Sequence, residues 1–230
     1  MNPVDTQYSS IAIDGPAGAG KSTLARRAAA ELGFVYVDTG AIYRTIGYRA
    51  YETGTDPKDA AAVAALLPQT RIELRHGPDG LQHMLLCGTD VTEAIRLPEM
   101  SRYASAVSAH GAVRDFLLDM QRSLARTHNV IMDGRDIGTV VLPDADVKIF
   151  LTATPEARAQ RRCLELTERG TPEPFEQVLA DIQARDWADT HREIAPLRAA
   201  ADAVTLDTTA LDFDESLAAL LSIIRGRCAL

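Results

Sequence analysis

Residues 11–40 read IAIDGPAGAGKSTLARRAAAELGFVYVDTG. The apolar run 11–14 predicts a buried strand, and the apolar spacing within 22–32 predicts a helix that stops at Gly33. Residues 34–38 predict a second strand. A strand, a helix and another strand in close succession form a βαβ unit, so we expect the chain to build a parallel sheet.

A glycine-rich loop separates the first strand from the helix. Residues 15–22 satisfy the pattern G-x-x-x-x-G-K-[ST] in full. The glycines let several backbone N–H groups face one anion, and the start of the helix adds the positive end of its dipole. We expect Lys21 to reach the β- and γ-phosphates of ATP and Ser22 to ligate Mg²⁺. The predicted nucleotide-binding residues are Gly15, Pro16, Ala17, Gly18, Ala19, Gly20, Lys21, Ser22 and Thr23.

Composition narrows the class of phosphate-binding protein. The chain has 230 residues, a hydrophobic fraction of 46% and a net charge of −8, which fits a globular domain and disfavours nucleic-acid binding. The sequence lacks the N-K-x-D motif by which GTPases read guanine, and it is short for a motor or a helicase. It also lacks an apolar run long enough to span a membrane. A small kinase is the class that fits, and such an enzyme needs an acceptor pocket.

The rest of the chain predicts one α/β core with two additions. Further parallel strands are expected at 129–133, 147–151 and 203–207, and an antiparallel hairpin at 71–75 and 81–87. Helices are expected over 113–124 and 155–169, from Phe175, and after the capping-box spacing of Asp212 and Glu215. We therefore predict an α/β P-loop three-layer sandwich with a five-stranded parallel sheet, a small insertion and a helical lid. The predicted boundaries are 1–51, 99–154 and 193–230 for the core, 52–98 for the insertion and 155–192 for the lid.

Arginines and carboxylates follow the second and third predicted strands, at the sheet edge where ligands bind in open parallel sheets. Arg44 would project towards the phosphates, or else lie on a solvated helix face. After the third strand, Asp133 is placed to hold Mg²⁺-bound water and Arg135 to clamp a phosphate, while Asp136 can accept hydrogen bonds from a base or a ribose. The structural alternative is a tight turn in which Asp133 caps a helix.

The spacing of the arginines in the lid segment allows two interpretations. Arg185, Asp189 and Arg192 are spaced i, i+4 and i+7, so a helix would place all three on one side. An exposed, salt-bridged face would show the same spacing. A mobile lid that carries arginines over the transferring phosphoryl group would use them for catalysis. The same two interpretations, an exposed helix face or a catalytic lid, apply to Arg158, Arg161 and Arg162.

Four motifs together resemble those of the bacterial cytidylate kinases, a family of nucleoside monophosphate kinases. They are IDGPAGAGKS at 13–22, DTGAIYR at 38–44, DGRDIGTVV at 133–141, and R-D-x-x-D-x-x-R followed by A-P-L within 185–197. The resemblance extends over nearly the whole chain. It implies transfer of phosphate from ATP to CMP or dCMP, an enlarged monophosphate-binding region in the 52–98 insertion, and a monomer.

The resemblance also implies a role for each matching position. The implied cytosine contacts are Ser105, Arg114 and Asp136, and the implied phosphate clamp is Arg44, Arg135 and Arg192. Arg185 and Asp189 match ribose contacts, and Thr39 also lines the acceptor site. Arg161 and Arg162 match lid positions, although Trp187 and Ala188 leave this lid with fewer basic residues than some relatives have. The expected catalytic set is Lys21, Arg135, Arg161, Arg162 and Arg192, and the expected metal ligands are Ser22 and Asp133.

Two other functions stay open on the sequence. A P-loop kinase for UMP, dTMP or a small metabolite would share the loop. A nucleotide-sensing module would bind ATP without transferring phosphate, but the arginines near the acceptor edge argue against it. The three cysteines are far apart in the sequence, and we expect them to be reduced. Residues 1–10 lack a secretory signal, so we expect a cytoplasmic protein.

Overall fold

The computed structural model describes residues 8–77 and 80–228. It divides into two compact units: one holds the described residues up to Tyr36 and those from Leu124 onward, and the other spans Val37–Ser123. Pro78 and Asp79, at the centre of the predicted hairpin turn, lie outside the described residues. Residues 1–7 also lie outside the described residues, and they make up most of the 1–10 segment in which no secretory signal is expected.

Eight strands form two sheets in the described ranges. The larger sheet has the order β2-β6-β1-β7-β8; β1 pairs in parallel with β6 and β7, and β8 pairs in parallel with β7. The predicted α/β fold with a five-stranded parallel sheet is confirmed. The strands are β1 Ser10–Asp14, β2 Val35–Asp38, β3 Ile72–His76, β4 Gln82–Leu86, β5 Thr89–Asp90, β6 Val130–Gly134, β7 Val147–Thr152 and β8 Val204–Asp207.

The helices follow the predicted pattern where the apolar period is clear. Their bounds are α1 Lys21–Leu32, α2 Thr39–Glu52, α3 Ala60–Leu66, α4 Met100–Val107, α5 Gly111–Thr127, α6 Pro155–Glu168, α7 Phe175–His191 and α8 Phe213–Arg227. Gly33 ends α1 in the left-handed conformation, and Asp212 and Glu215 form the predicted capping box of α8. None of the helices in the described part of the chain is long and apolar enough to cross a membrane.

The main core lies where α1 and α8 pack on the central strands. Ile11, Ile13 and Ile149 project from β1 and β7 into this core and are at most 1% exposed. Leu24 of α1 and Leu220 of α8 cover them. Burial of each such side chain contributes roughly 1.5–3 kcal/mol, so the apolar runs that predicted these strands also stabilise the sheet.

The smaller sheet confirms the predicted hairpin and adds to it. β3 pairs antiparallel with β4, and β5 adds a third strand. The same stretch also contains α3, which the apolar pattern did not predict, because only Val63 of this alanine-rich helix is buried. Its N-terminus is set by Asp59, whose side chain accepts hydrogen bonds from the backbone N–H groups of Ala61 and Ala62.

α6 and α7 pack together around a separate small core. Ala159 and Leu166 of α6 meet Val178 and Ile182 of α7, as the predicted apolar face of α7 requires. On its exposed side, α7 carries Trp187, which is 65% exposed and stacks on His191 with ring centroids 4.7 Å apart.

Candidate active site

The glycine-rich loop connects the carboxyl end of β1 to the first turn of α1. A Cβ built on Gly15 would overlap the carbonyl oxygen of Leu151, so only glycine fits this close approach of two backbones. Gly20 has a φ of 87° and caps α1, and no side chain among the described residues bonds to that cap. Since glycine has no side chain to cap the first N–H groups of α1, this helix start has the form that binds anions in other proteins.

Lys21 lies beneath the loop and is 5% exposed. Its Nζ donates to the carbonyl oxygen of Pro16 at 2.7 Å. Burial, followed by the positive charge of Arg135, lowers the pKa of Lys21 well below its usual range, while the charge of Asp133 opposes the shift. Arg185 adds to the lowering. Several cations therefore gather beside the loop, which is an arrangement that a bound polyanion stabilises.

Asp133 is the last residue but one of β6, next to the loop, and is 3% exposed. Its Oδ2 accepts a hydrogen bond from the hydroxyl of Ser22 at 2.7 Å, and its Oδ1 accepts one from the hydroxyl of Tyr36 at 3.0 Å. No cluster of three or more metal-binding side chains occurs in 8–77 or 80–228. Mg²⁺ does not need one, because it takes one or two protein oxygens and completes its shell with water and phosphate. The carboxylate and hydroxyl pair therefore fits this ion.

Asp14 ends β1 and fixes the turn that follows β6. Its two carboxylate oxygens accept hydrogen bonds from the backbone N–H groups of Ile137 and Gly138, both at 2.8 Å. These residues begin a short π-helical turn that immediately follows Asp136. Burial raises the pKa of Asp14 from 3.8 to about 6, although the two backbone hydrogen bonds oppose the rise. The sequence reading missed Asp14 because its partners lie more than 120 residues away.

Two ion pairs hold the predicted acceptor residues of this unit. Arg135 Nε donates to Asp189 Oδ2 at 2.9 Å, and a nitrogen of Arg192 lies 3.5 Å from Asp136 Oδ1. Asp136, Asp189 and the side chain of Arg192 are all more than nine-tenths buried. Arg185 lies close enough to Lys21 to affect its pKa. The structure thus brings together five of the sequence-predicted residues of this unit.

The predicted helical placement of Arg192 is wrong. α7 ends at His191, and Arg192 has the extended angles φ −65° and ψ 143°. It therefore does not continue the helix face that carries Arg185 and Asp189. Instead its Nε donates to the carbonyl oxygen of Ala195 at 2.5 Å, and Ala195 has a φ of 49°, just before Pro196. A tight backbone turn, rather than helix periodicity, directs this guanidinium towards Asp136.

In the 37–123 unit, Asp38 organises the start of α2. Its Oδ1 accepts from the N–H of Ala41, and its Oδ2 accepts from Arg44 at 2.8 Å. The Nε of Arg44 is buried without a partner among the described residues. Thr39, the first residue of α2, is 3% exposed. The side chain of Gln82 bonds to both backbone groups of Asp38, a contact that the sequence pattern did not reveal.

Arg114 is the buried cation of α5 in the same unit. It is 8% exposed, donates to the carbonyl oxygen of Ser108 at 3.0 Å, and lies 5.6 Å from the ring centroid of Tyr43. Ser105 lies on α4, one turn before Ser108, whose hydroxyl donates to the carbonyl oxygen of Ser105. Tyr43 was part of the DTGAIYR motif, but nothing in the sequence marked it as a partner of Arg114.

The arginines of α6 differ in their surroundings. Arg161 donates to the hydroxyl and carbonyl oxygens of Thr208, in the loop between β8 and α8. Arg162 is partly exposed and pairs with Glu165 on its own helix. Arg158 is 2% exposed and binds Asp186 on α7 through two nitrogens. The solvated-face alternative is thus wrong for Arg158.

Comparison with known proteins gives one consistent result. A family model described as cytidylate kinase matches residues 11–226. A cytidylate kinase of Caldicellulosiruptor bescii is 49% identical over 213 residues, which cover 93% of this chain and 94% of the relative. One of Shouchella clausii is 47% identical over 215 residues, 94% and 95% of the two chains. In fold alone, an uncharacterised protein from Eubacterium ventriosum is similar, with a TM-score of 0.51, 12% identity and coverage of 96% and 100%.

Proposed function

Because the chain belongs to the cytidylate kinase family, we propose that it transfers the γ-phosphoryl group of ATP to CMP, giving ADP and CDP, with dCMP as a second acceptor. The observation that carries this proposal is the group of cations beside the glycine-rich loop. Buried Lys21 lies within the electrostatic influence of Arg135 and Arg185, and this charge repulsion is relieved when phosphates bind. The loop and the first N–H groups of α1 supply the hydrogen-bond donors for ATP.

The acceptor contacts come from residues that the geometry preorganises. We propose that Arg135 and Arg192 bind the phosphate of the acceptor, while Arg185 and Asp189 bind its ribose and Asp136 its base. The ion pairs that hold Arg135 and Arg192 fix their directions before substrate arrives. From the 37–123 unit, we propose Arg44 as a phosphate contact, Ser105 and Arg114 as base contacts, and Thr39 as a further contact. The unpartnered Nε of Arg44 supports this role.

The reaction needs positioning and charge more than proton transfer. An oxygen of the CMP phosphate forms a bond to the γ-phosphorus, and the bond to the bridging oxygen of ADP breaks. At neutral pH this phosphate is already mostly a dianion, so no general base is required. Lys21 and the arginines reduce the repulsion between two polyanions and stabilise the charge on the transferring group.

Ser22 and Asp133 are the proposed holders of Mg²⁺. When bound, the ion would supply positive charge that offsets the negative charge of the phosphates. The buried carboxylate of Asp133 provides the negative charge that attracts it, and Tyr36 fixes the orientation of that carboxylate.

Segment 155–192 is the proposed lid, with Arg161 and Arg162 as its arginines. Exclusion of water by a closed lid would limit hydrolysis of ATP. We also propose a monomeric, cytoplasmic enzyme that acts on small nucleotides rather than on nucleic acids.

A coupled assay of ADP release across nucleoside monophosphates tests the function. We expect turnover with CMP and dCMP to exceed that with UMP, dTMP and AMP by at least tenfold, since loss of base-specific hydrogen bonds costs that much. Faster turnover with UMP or dTMP would establish the rival kinase. ATP binding without turnover on any acceptor would establish the nucleotide-sensing module.

Replacement of Lys21 tests whether the cations beside the glycine-rich loop support phosphoryl transfer. We expect Lys21→Ala to lower kcat by about two to four orders of magnitude, as loss of a phosphate-stabilising cation does elsewhere. The matched control is Lys58→Ala, which removes an exposed lysine of the other unit and should leave kcat unchanged. Near-normal turnover by folded Lys21→Ala would contradict the proposed role.

A further inference from the structure

Arg158 joins three separate segments through one buried guanidinium. Its Nε donates to the carbonyl oxygen of Ala153, just after β7, at 2.9 Å. Its Nη1 donates to the carbonyl oxygen of Ala17, in the glycine-rich loop, also at 2.9 Å. Nη1 and Nη2 bind the two carboxylate oxygens of Asp186 on α7 at 3.1 and 2.5 Å. The planar guanidinium of Arg158 therefore fixes the glycine-rich loop and α7 relative to the end of β7.

The contact with Ala17 sets the orientation of one peptide plane in the loop. In a trans peptide, the carbonyl of one residue and the N–H of the next residue point in opposite directions. Because the carbonyl oxygen of Ala17 faces Arg158, the N–H of Gly18 points away from Arg158. Backbone N–H groups of this loop are the proposed ligands of the ATP phosphates. Arg158 thus controls the direction of one donor without touching the nucleotide.

The contact with Asp186 reaches the acceptor side of the same unit. Asp186 follows Arg185 directly and precedes Asp189 by three residues, nearly one helical turn. Asp189 in turn holds Arg135 at 2.9 Å. A movement of α7 that shifts Asp189 relative to Arg135 must also disturb the contacts of Arg158. The contact with Asp186 changes if α7 moves alone, and the contact with Ala17 changes if α6 moves together with α7. The donor loop and the proposed acceptor contacts therefore share one chain of buried polar contacts.

We propose that Arg158 and Asp186 form a positioning pair that couples the two substrates, so that ATP on the loop strengthens binding of CMP, and CMP strengthens binding of ATP. The inference rests on the proposed function, because it takes the loop as the ATP site and Arg135 with Asp189 as acceptor contacts. Lysine cannot replace Arg158, since a single ammonium does not reach Ala17 and both oxygens of Asp186 at once. Coupling between two binding sites is reciprocal, so either ligand can be used to measure it.

Calorimetric titration of the β,γ-imido analogue of ATP, with and without saturating CMP, measures the coupling. In the unaltered protein we expect CMP to tighten analogue binding by about tenfold, within the usual range of about 5–150-fold. In Asp186→Asn, which keeps the shape but removes the charge, we expect this factor to fall below about 2, with a smaller change in analogue affinity measured alone. The matched control is Asp181→Asn, an exposed aspartate of the same helix that bonds only to Gln177 among the contacts described, and it should keep the full factor.

A second variant separates coupling from simple structural support. Arg158→Lys keeps the charge and removes the fork, and we expect it to lose the coupling as Asp186→Asn does. The double variant should show no further loss. A purely structural pair would instead weaken both nucleotides equally and leave the factor intact, which would overturn the proposal. A factor near 1 in the unaltered protein, or failure of both single variants to fold, would overturn it as well.

The same titration distinguishes this inference from the proposed function. If the unaltered protein phosphorylates CMP but the variants retain the coupling factor, only the positioning pair is refuted. If the unaltered protein does not phosphorylate CMP at all, the proposed function itself fails.

Discussion

Asp14 and Asp133 lie near the carboxyl ends of two neighbouring strands, Asp14 as the last residue of β1 and Asp133 as the last but one of β6, and both are more than nine-tenths buried. Their partners differ. Both oxygens of Asp14 accept backbone N–H groups of one turn, whereas both oxygens of Asp133 accept side-chain hydroxyls. Hydroxyls rotate and exchange partners readily, but backbone N–H groups within a turn do not.

The difference distinguishes a carboxylate that holds a backbone turn in place from one whose hydrogen bonds come from side-chain hydroxyls, as the proposed role of Asp133 requires. Asp14 is committed to the turn after β6, and moving its oxygens would strip hydrogen bonds from buried backbone. Asp133 can exchange a hydroxyl for a cation at little cost. Strand position alone therefore does not assign a function to a carboxylate, and its hydrogen-bond partners must be known.

Among the tests of this difference between the two carboxylates, the largest expected effect is that of replacing Asp133. We expect Asp133→Asn to lower kcat by about 100- to 1000-fold, the cost typical of losing one electrostatic contact near a reacting group. The fold should persist, because asparagine still accepts a hydrogen bond from Ser22 or Tyr36. Electron paramagnetic resonance of Mn²⁺ with the imido analogue should show weaker ion binding. Asp144→Asn, an exposed aspartate, is the control. Normal Mn²⁺ binding by Asp133→Asn would show that Asp133 does not hold the ion and that, like Asp14, it has a structural role.

The second effect is the pH dependence of stability that Asp14 causes. Its pKa of about 6 in the folded protein exceeds the usual 3.8. The folded state therefore binds the proton more tightly, and stability falls as pH rises from about 4 to about 6. The shift corresponds to about 3 kcal/mol of unfolding free energy.

Urea unfolding between pH 4 and pH 7 of the unaltered protein and of Asp14→Asn isolates this contribution. We expect the difference in unfolding free energy between the two proteins to change by about 2.4 kcal/mol in that interval, because the asparagine does not titrate and part of the shift lies below pH 4. A difference that stays constant with pH would show that Asp14 is ionised throughout, and would make it more similar to a solvated carboxylate.

The smallest expected effect concerns Tyr36, one of the two hydroxyl partners of Asp133. Tyr36→Phe removes one hydrogen bond to Asp133 and leaves the one from Ser22. We expect a loss of about 1 kcal/mol in transition-state stabilisation, or roughly a fivefold lower kcat/KM. The concentration of Mg²⁺ at half-maximal rate should rise while Tm changes little. A large drop in Tm with an unchanged Mg²⁺ requirement would place Tyr36 with the structural residues.

How much of the site the sequence predicts depends on how local its interactions are. Lys21, Ser22 and the loop glycines belong to one contiguous motif whose geometry follows from the backbone, so their places were predicted correctly. Asp133 was singled out because a carboxylate after an apolar strand is itself a local pattern, and its role in metal binding stays a prediction. The sheet and most helices were equally accessible, because apolar periodicity is local.

The remaining features depend on contacts between distant segments. Arg158 and Asp186 are 28 residues apart, and each alone has the pattern of a solvated helix residue. The end of α7 before Arg192 is set by a backbone turn at Ala195 rather than by a glycine or an adjacent proline, so helix periodicity was extended too far. Such features follow from packing and become visible only in three dimensions.

Trp187 gives this protein a built-in optical probe. It is the sole tryptophan of the chain, it lies mostly exposed on α7, and it stacks on His191, the last residue of that helix. Its intrinsic fluorescence therefore reports on α7 alone, with no labelling and no competing indole. A change in emission on addition of either nucleotide would record the motion of this helix in real time.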